Sequence, residues 1–583
     1  MAQIVHPAID RDPYEREEQM QPVLTDAMID RIVRYGEVRA VKAGQVLFDV
    51  GDQQTEFVLV LSGALAIEVD DCEATDRVVE HRRGAFSGEI DMFSNRRAVV
   101  RGVCTEAGEM AFLGRQAFRR MLAAQADIAE IVIRAFILRR TGLIWSNRGD
   151  IVLLGEEECG DTLALRSFLT RNGHPHRAVE PAEEPEQAEK IARHFGLDPS
   201  DYPVVIWRNQ EVLRRPTPRA LADLLGLSQP SQARDVYDVA VVGVGPGGLA
   251  AAVNAAAEGL SVIAIEGTAP GGQAGTSSKI ENYPAFPTGI SGQALGGRMM
   301  LQAQKFGTEI IAPREAVALE CDQRPYAIAL EDGTKVRAHA VVVASGAKWR
   351  RLGLEHEERF ENAGVYYGAT PVEAALCEGE EVVIVGGGNS AGQAAVFLSG
   401  RVAHVHMLVR SETLAETMSD YLIQRIEQAD GITLHICTEV VALDGRAHLE
   451  GMTWRSNVDG AEEARAVRHL FVMIGAVPNT DWLDGCLLRD ERGFIVTGAD
   501  LPTSHLVSDA WTANRMPYIG ETSRPGVFAV GDVRSGSVKR VASAVGEGAI
   551  AAQFLYKVVH EEGHPAYEAE EDRPLEAPAQ AAE

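Results

Sequence analysis

Two segments of this chain each combine an apolar strand, a glycine-rich turn and a helix of small residues. In the first, DVAVVGVGPGGLAAAVNAAAEGLSVIAIE, a second strand ends in Glu266. Glycines in such a turn let the backbone approach a pyrophosphate closely, and the helix N-terminus supplies donors and partial positive charge. An acid roughly 20 residues further on suits a ribose hydroxyl. The segment predicts a dinucleotide-binding unit with contacts at Gly243, Gly245, Pro246, Gly247, Gly248 and Glu266.

A second copy of the pattern, EEVVIVGGGNSAGQAAVFLS, argues against a chance glycine turn in an ordinary α/β unit. Its second strand, HVHMLVR, ends in Arg410 rather than in an acid. An arginine accommodates a 2'-phosphate that an acid would repel, so the sequence favours NADPH, with NADH as the alternative. Two dinucleotide folds in one chain suit hydride transfer from a nicotinamide to a flavin. The expected contacts are Gly386, Gly388, Asn389, Ser390, Ala391 and Arg410.

Composition excludes several other classes. A chain of 583 residues is too long for one core and predicts roughly three to five domains. The formal net charge of -28 argues against nucleic-acid binding, which needs clustered Lys and Arg. We expect a cytoplasmic protein without membrane contact, because no apolar run approaches the length of a span and the N-terminus lacks a signal-peptide core. The seven cysteines, an odd number at wide spacings without CxxC, predict neither a disulfide framework nor a metal site.

Two further patterns precede the first glycine turn. Between about 25 and 125, short alternating apolar runs separated by glycines predict an antiparallel β roll, and residues 119–144 predict one closing helix that could also pair subunits. From 150 to 228 the predicted order is strand, helix, strand, helix, strand, strand, helix, carried by IVLLG, TLALRSFLTRNG, HRAVE, EPEQAEKIARHFG, YPVVIW, EVLRR and PRALADLLGL. This pattern indicates a separate small α/β unit, followed by a polar linker.

The region from about 235 to 556 resembles the low-molecular-weight thioredoxin reductase family. GGQAGTSSKIENYPAF (271–286) is similar to the flavin-cradling loop of that family, VVVASGA (341–347) to its crossover between domains, and GAVPNT (475–480) with GVFAVGDVRSGSVKRVASAVGEGAIAA (526–552) to its closing flavin segment. The resemblance implies FAD and NADPH as cofactors, a homodimer, and a nicotinamide domain that is inserted into the flavin domain and can rotate to deliver its hydride. It also implies flavin contacts at Gly272, Gln273, Asn282, Gly346, Gly531, Asp532, Arg540, Val541 and Ala542.

The chain departs from this family at its redox centre. Where the family carries a CxxC around Ala-Thr, this chain has Gly368-Ala369-Thr370-Pro371, and Cys377 lies six residues past Pro371 without a partner. Neither glycine nor proline can carry electrons, so the relay from flavin to dithiol is absent. We expect an acceptor from outside the flavin domain: a quinone or dye, oxygen, a small redox protein or a thiol. The alternatives are a ferredoxin or flavodoxin reductase and, in another class, a flavin-based redox sensor whose output is assembly.

One candidate thiol lies in the small unit. Cys159-Gly160-Asp161-Thr162 lies between a strand and a helix, where folds resembling thioredoxin and glutaredoxin carry CxxC, and Pro203 takes the place of their cis proline. A helix N-terminus favours thiolate. Because Thr162 replaces the resolving cysteine, Cys159 can form a mixed disulfide but cannot close one within the site. The alternative is an inert thiol on a docking module.

Residues from about 25 to 145 resemble the cyclic nucleotide-binding domain family. FSGEIDMFSNRRAV (86–99), here called the cassette segment, is similar to its phosphate-binding cassette, in which backbone donors and an arginine bind the cyclic phosphate and a glutamate binds the ribose. By position these are Gly88, Glu89 and Arg97, with Ala98 beside the arginine. The resemblance implies cAMP or cGMP as an effector, and a roll kept for assembly alone is the alternative.

Together these patterns predict an α/β fold with two Rossmann-like dinucleotide-binding domains behind a β roll and a small thioredoxin-like domain. The expected divisions are an N-terminal extension (1–24), a cyclic nucleotide-binding-like domain (25–147), a thioredoxin-like domain (148–228, the small module), a linker (229–236), the FAD domain (237–349 and 473–558), the nicotinamide domain (350–472) and a disordered acidic tail (559–583).

Overall fold

The computed structural model describes residues 17–560, apart from 54–55, 72–73, 89, 94–96, 146–150, 157–158, 209, 229, 231–233, 278, 362, 370, 447 and 509–510. Most of the predicted N-terminal extension and nearly all of the predicted acidic tail therefore lie outside the described residues. Among the described residues, no helix is both long and apolar enough to cross a bilayer.

The N-terminal domain is a β roll closed by helices. Its elements are α1 (Glu17–Met20), α2 (Asp26–Val33), β1 (Glu37–Val41), β2 (Val46–Phe48), β3 (Phe57–Val60), β4 (Ala64–Asp71), β5 (Ala74–His81), β6 (Phe86–Ser87), a 3-10 helix (Ile90–Phe93), β7 (Arg101–Glu106), β8 (Gly108–Leu113), α3 (Arg115–Ala124) and α4 (Ala126–Trp145). The strands pair antiparallel in two four-stranded sheets, β1-β8-β3-β6 and β2-β7-β4-β5, so the predicted roll is confirmed.

The prediction of a single closing helix over 119–144 is wrong. Gln125 has φ -123° and ψ 76°, which ends α3 before α4 begins. This break lets both helices bury apolar side chains in one cluster with the strands of the roll, with Phe118 and Met121 on α3 and Phe136 on α4. A helical period alone could not reveal the break, because the apolar spacing continues through it.

The small module contains β9 (Ile151–Leu154), α5 (Gly160–Arg171), β10 (Arg177–Val179), α6 (Pro185–Phe195), a 3-10 helix (Pro199–Asp201), β11 (Val204–Trp207), β12 (Glu211–Arg214) and α7 (Pro218–Leu225). Strands and main helices follow the predicted order. The sheet runs β10-β9-β11-β12, with β9 parallel to β10 and antiparallel to β11. The Tyr202–Pro203 peptide bond is cis, as expected from the position of Pro203.

The FAD domain begins with β13 (Tyr237–Val242), α8 (Pro246–Ala257), β14 (Val262–Ile265), a 3-10 helix (Gly272–Thr276), α9 (Gly292–Lys305), β15 (Glu309–Ile311), β16 (Ala316–Glu320), β17 (Tyr326–Leu330), β18 (Lys335–Val343) and β19 (Ala347–Trp349). Its central strands are parallel, with Val241 opposite both Ala264 and Val342. These strands are buried on both faces, as continuous apolar runs in parallel sheets usually are.

The nicotinamide domain follows, with a 3-10 helix (Glu357–Phe360), β20 (Val365–Tyr366), α10 (Pro371–Leu376), β21 (Glu381–Val385), α11 (Asn389–Ser399), β22 (His404–Leu408), α12 (Asp420–Glu427), β23 (Ile432–His435), β24 (Thr438–Gly445), β25 (Leu449–Ser456), β26 (Glu462–Arg465) and β27 (His469–Val472). Five strands form a parallel sheet, β20-β27-β21-β22-β23, and three form an antiparallel sheet, β24-β25-β26.

The chain then returns to the FAD domain through β28 (Ala476–Pro478), 3-10 helices (Asp481–Leu483 and Gly498–Asp500), α13 (Thr503–Leu506), β29 (Val527–Ala529), a 3-10 helix (Gly531–Val533) and α14 (Val541–Val559). Strand β28 pairs with β19, and β29 adds to β18 in the first sheet. The predicted insertion of one dinucleotide-binding unit into the other is confirmed by this topology.

One pair of cysteines forms a disulfide, which the sequence analysis did not predict. Cys321 and Cys486 are joined by a disulfide, although 165 residues separate them in sequence. Both lie in the apolar cluster on one side of the FAD sheet. Sequence spacing could not reveal this pair, because the inserted nicotinamide domain lies between the two cysteines.

The small module is attached to the FAD domain by ion pairs. The guanidinium of Arg314 is buried and lies 2.9 Å from a carboxylate oxygen of Asp332 and 3.4 Å from one of Asp223 in α7. Its Nε donates to the carbonyl of Ser228 at 3.1 Å. Arg219 of α7 also pairs with Glu331 and Asp332. The module is therefore held against the first dinucleotide-binding unit.

Candidate functional site

The first glycine turn has no room for side chains at Gly243 and Gly248. A Cβ on Gly243, whose φ is +102°, would clash with the carbonyl of Ala344, and a Cβ on Gly248 would clash with the carbonyl of Gly243. Gly245 is the N-cap of α8, and the nearest atom to a Cβ built there is the Gly272 Cα at 3.8 Å. Pro246 begins the helix, followed by the buried Gly247. The donors of the helix N-terminus thus face a space bounded by two glycines.

Glu266 lies at the end of β14, beside this turn. Its two carboxylate oxygens accept the N–H groups of Val244 at 2.8 Å and Thr268 at 3.0 Å. Burial raises the pKa of Glu266, and these backbone hydrogen bonds oppose the rise. A buried acid held in this way can orient a ribose hydroxyl, which is the role predicted for it.

Residues 269–276, here called the flavin loop, pass directly over the turn. Gly272 lies close enough that a Cβ built on it would be 3.0 Å from the Gly245 Cα. Gln273 donates from Nε2 to the carbonyl of Ala347 at 2.6 Å, which ties the loop to the crossover strand β19. Gly346, just before β19, accepts the N–H of Asn479 at 3.0 Å. Asn282, in contrast, lies exposed between the bridged residues Ile280 and Ile290.

The closing segment (526–552) reaches the first glycine turn through α14. Gly531 donates its N–H to Glu547 at 2.7 Å, and Glu547 also pairs with Arg534 at 2.6 Å. Burial raises the pKa of Asp532, and Lys539 donates to the Asp532 carbonyl at 3.1 Å.

Arg540, Val541 and Ala542 form the N-cap and first turn of α14. This helix packs against α8 so closely that a Cβ on Gly548 would clash with the carbonyl of Gly247. Sequence reasoning missed Glu547, although a single acid within a helix of small apolar residues could have indicated a buried partner.

These residues fit a flavin dinucleotide. The turn offers unhindered helix donors, Glu266 supplies a buried acceptor, and the Ser537 Oγ is buried without a hydrogen-bond partner among the described residues. A buried hydroxyl without a partner is unusual in a protein interior and points to a missing polar ligand.

The second glycine turn is built in the same way. A Cβ on Gly386 would clash with the carbonyl of Met473, and Gly388 is the N-cap of α11. Asn389 accepts the N–H of Ser419 at 2.8 Å through its Oδ1, while Ser390 is exposed and Ala391 is buried. Arg410 lies exposed just after β22, so its guanidinium is accessible to the 2'-phosphate of NADPH that the sequence analysis predicts it to contact.

The Gly368 stretch (368–371), where the resemblance places a dithiol, lies against the flavin loop. A Cβ built on Gly368 would be 3.2 Å from the Cβ of Thr276. Pro371 begins α10, and Thr370 lies outside the described residues. Cys377 is buried, and its Sγ donates to the carbonyl of Glu373 at 3.1 Å. Burial, reinforced by Glu380 and Glu373, strongly raises the pKa of Cys377, which makes it a poor nucleophile.

Cys159 is the N-cap of α5 and is half-buried. Its helix contributes Leu163 to the same apolar cluster as Tyr366 and Ala369, so the small module packs beside the Gly368 stretch. Thr162, at the position of a resolving cysteine, is buried, and its Oγ1 has no partner among the described residues. The structure thus brings the helix of the predicted thiol to the part of the nicotinamide domain that contains the Gly368 stretch.

The cassette segment meets both the small module and the FAD domain. A Cβ on Gly88 would lie 2.9 Å from the ring of Phe136 in α4. The Arg97 guanidinium lies over the Trp207 ring at 5.3 Å, and its Nε is buried without a partner among the described residues. Ala98 is buried, and Glu89 lies outside the described residues.

Comparisons with known proteins agree with the assignments of the N-terminal β roll and of the region that contains the two glycine turns. A cyclic nucleotide-binding domain model matches residues 38–125. "NADPH-dependent thioredoxin reductase 3" of Arabidopsis thaliana is 32% identical over 58% of this chain and 64% of its own length. "NADH dehydrogenase" of Ferdinandcohnia aciditolerans is 32% identical over 55% of this chain and 57% of its own length. The chain thus spans less than two thirds of these relatives.

Among solved structures, thioredoxin reductase of Lactococcus lactis covers 56% of this chain and 99% of its own, with 28% identity and a TM-score of 0.49. The model of the pyridine nucleotide-disulphide oxidoreductases matches residues 237–548, which is more than half of the chain and contains both glycine turns. The chain therefore belongs to the pyridine nucleotide-disulphide oxidoreductase family.

Proposed function

We propose that this protein is an FAD-dependent NAD(P)H oxidoreductase that passes electrons to an acceptor outside its FAD domain. The observation that carries the proposal is the pair of glycine turns, joined by strands β19 and β28, with Gly368 rather than a cysteine facing the flavin loop. When bound, the nicotinamide would supply a hydride and the flavin would accept it. The chain itself would bind and orient both cofactors.

We infer FAD binding at the first turn and the closing segment. Helix donors at Gly245 meet the pyrophosphate, Glu266 accepts from a ribose hydroxyl, and Asp532 lies on the ribityl side. The buried Ser537 hydroxyl supports this assignment, because a bound polar group would satisfy it.

The test is an anaerobic titration of the purified protein with NADPH while the flavin absorbance is followed. We expect bleaching at stoichiometric NADPH, because both glycine turns are intact, and repeated turnover once a quinone or dye is added. Multiple turnover with any acceptor would favour an enzyme. A single slow reduction that changes oligomeric state would favour the redox sensor instead. Bound flavin that neither NADPH nor NADH bleaches would contradict the proposal.

Arg410 tests the choice of nicotinamide. It is exposed at the end of β22, where a 2'-phosphate would lie, so Arg410→Ala should raise the KM for NADPH by about tenfold and leave the KM for NADH unchanged. Arg446→Ala removes another exposed arginine of the same domain and serves as the control. Equal effects of Arg410→Ala on both cofactors would argue against phosphate recognition.

Two classes of acceptor are compatible with the Gly368 stretch. A quinone, oxygen or a small redox protein, including ferredoxin or flavodoxin, would receive electrons directly. A disulfide acceptor would instead be attacked by the Cys159 thiolate, which would release one thiol and form a mixed disulfide for the reduced flavin to reduce. The position of α5 beside Tyr366 and Ala369 supports Cys159 as a candidate, because its helix packs on the nicotinamide domain next to the Gly368 stretch.

Cys159→Ser decides between these routes. If the thiol takes part, turnover with a disulfide substrate is abolished while flavin bleaching by NADPH is unchanged. Cys437→Ser removes another free, half-buried cysteine and should change neither rate. Unchanged disulfide turnover in Cys159→Ser would make the thiol inert.

We further propose that a cyclic nucleotide regulates the flavin site. Leu301 of α9 lies in the same apolar cluster as Met92 and Phe93 of the cassette segment. At its other end, α9 packs on the flavin loop, since a Cβ on Gly292 would clash with the carbonyl of Ala274 and one on Gly296 would lie 2.9 Å from the Gly271 Cα. One helix thus contacts both the cassette and the loop.

Calorimetry with cAMP and cGMP tests this regulation. We expect one of them to bind and to change the rate of flavin bleaching. Leu301→Ala should leave the affinity for the nucleotide unchanged but remove its effect on the rate, because the contact between α9 and the cassette is reduced. Phe306→Ala removes an exposed side chain just beyond the same helix and is the control. No heat with either nucleotide would mean that the roll serves assembly alone.

A further inference from the structure

The C-terminal end of α5 in the small module lies on the flavin loop. Arg171, the last residue of α5, donates from Nη2 to the carbonyls of Ala269 at 3.4 Å and Gly272 at 3.3 Å. One residue earlier, Thr170 accepts from Gln293 of α9 at 2.7 Å. Two adjacent positions of the small module therefore contact the loop and the first turn of the helix that follows it.

The charge of Arg171 is not fully satisfied by these contacts. Burial lowers the pKa of its guanidinium, and the carboxylates of Glu266 and Glu373 oppose this effect. Its Nε is buried and has no hydrogen-bond partner among the described residues. A guanidinium carries five donors and is rarely buried without anionic partners, so the arrangement has capacity for a further acceptor.

Of the two carbonyls that Arg171 contacts, that of Gly272 belongs to the part of the flavin loop that lies against the turn where the pyrophosphate is expected. Gly272 lies against Gly245, the N-cap of α8, and Glu266 accepts an N–H from the same turn. A dinucleotide pyrophosphate would add two negative charges beside the buried carboxylate of Glu266. Of the side chains whose charge acts on Glu266, Arg171 is the cation that favours its ionised form. A positive charge is therefore favourable here, and Arg171 of the small module supplies one.

We propose that Arg171 is an FAD-binding residue contributed by the small module. It holds the flavin loop over the glycine turn through two carbonyls and places a positive charge within range of the pyrophosphate. The cofactor site of the FAD domain is thus completed by a side chain from outside that domain. This inference rests on the proposed binding of FAD at the first turn.

The experiment is reconstitution of the full-length apoprotein with FAD, followed by flavin fluorescence. Arg171→Ala should weaken FAD binding by about tenfold, which corresponds to about 1.4 kcal/mol. Arg171→Lys, which keeps the charge but loses the fork of donors, should show a smaller loss. Because the contribution is electrostatic, the affinity of the wild type should fall more steeply with salt than that of Arg171→Ala.

Gln293→Ala is the matched control, because it removes the neighbouring contact between the same two segments without removing charge. We expect its FAD affinity to stay close to that of the wild type, and circular dichroism should show both variants folded. An Arg171→Ala variant that binds FAD as tightly as the wild type would overturn the inference and leave the proposed function intact. An equal loss in Gln293→Ala would assign the effect to docking and also overturn it. A wild type that takes up no FAD would defeat the proposed function and this inference together.

Discussion

The architecture of the FAD domain depends on the close approach of backbones at the first glycine turn. Strand β18, helix α14 and the flavin loop all come within contact distance of the segment from Gly243 to Gly248. A side chain at Gly243 would displace the carbonyl of Ala344, just after β18, and one at Gly248 would displace the carbonyl of Gly243 within the turn. The turn is thus where the first βαβ unit, the crossover and the C-terminal helix meet, which explains how segments about 300 residues apart in sequence can share one cofactor site.

Helix α9 and the small module extend this junction to the rest of the chain. Helix α9 contacts the flavin loop at Gly292 and Gly296 and enters the core of the β roll through Leu301. The small module contacts the flavin loop through Arg171 and the nicotinamide domain through Leu163. A rotation of the nicotinamide domain, as the family resemblance implies, must therefore either separate Leu163 from its cluster or move the small module with it.

Local patterns predicted the parts of this structure that depend on short sequence spans. The two glycine turns, the first with Glu266, are each encoded within about 30 residues, where steric and helix-terminus requirements leave few alternatives. The strand order of the small module follows from consecutive short segments between Ile151 and Arg214. The disulfide between Cys321 and Cys486, the break at Gln125 and the contact of Arg171 with the flavin loop depend on tertiary packing. Glu547 falls between these two groups. The helix period predicts that its side chain faces inward, but the hydrogen bond that it accepts from Gly531 depends on tertiary packing.

The Gly368 stretch differs in its packing, and not only in its residue types, from a site that could hold two cysteines. A Cβ at Gly368 would meet both Cβ and Oγ1 of Thr276 at 3.2 and 3.3 Å, closer than most side chains tolerate. Thr276 cannot move freely, because its hydroxyl donates to the Gln273 carbonyl at 2.8 Å within the flavin loop. The Thr276 side chain therefore occupies part of the space that a cysteine side chain at position 368 would need. Such packing agrees with the proposal that electrons leave the flavin by a route other than a dithiol at Gly368 and Pro371.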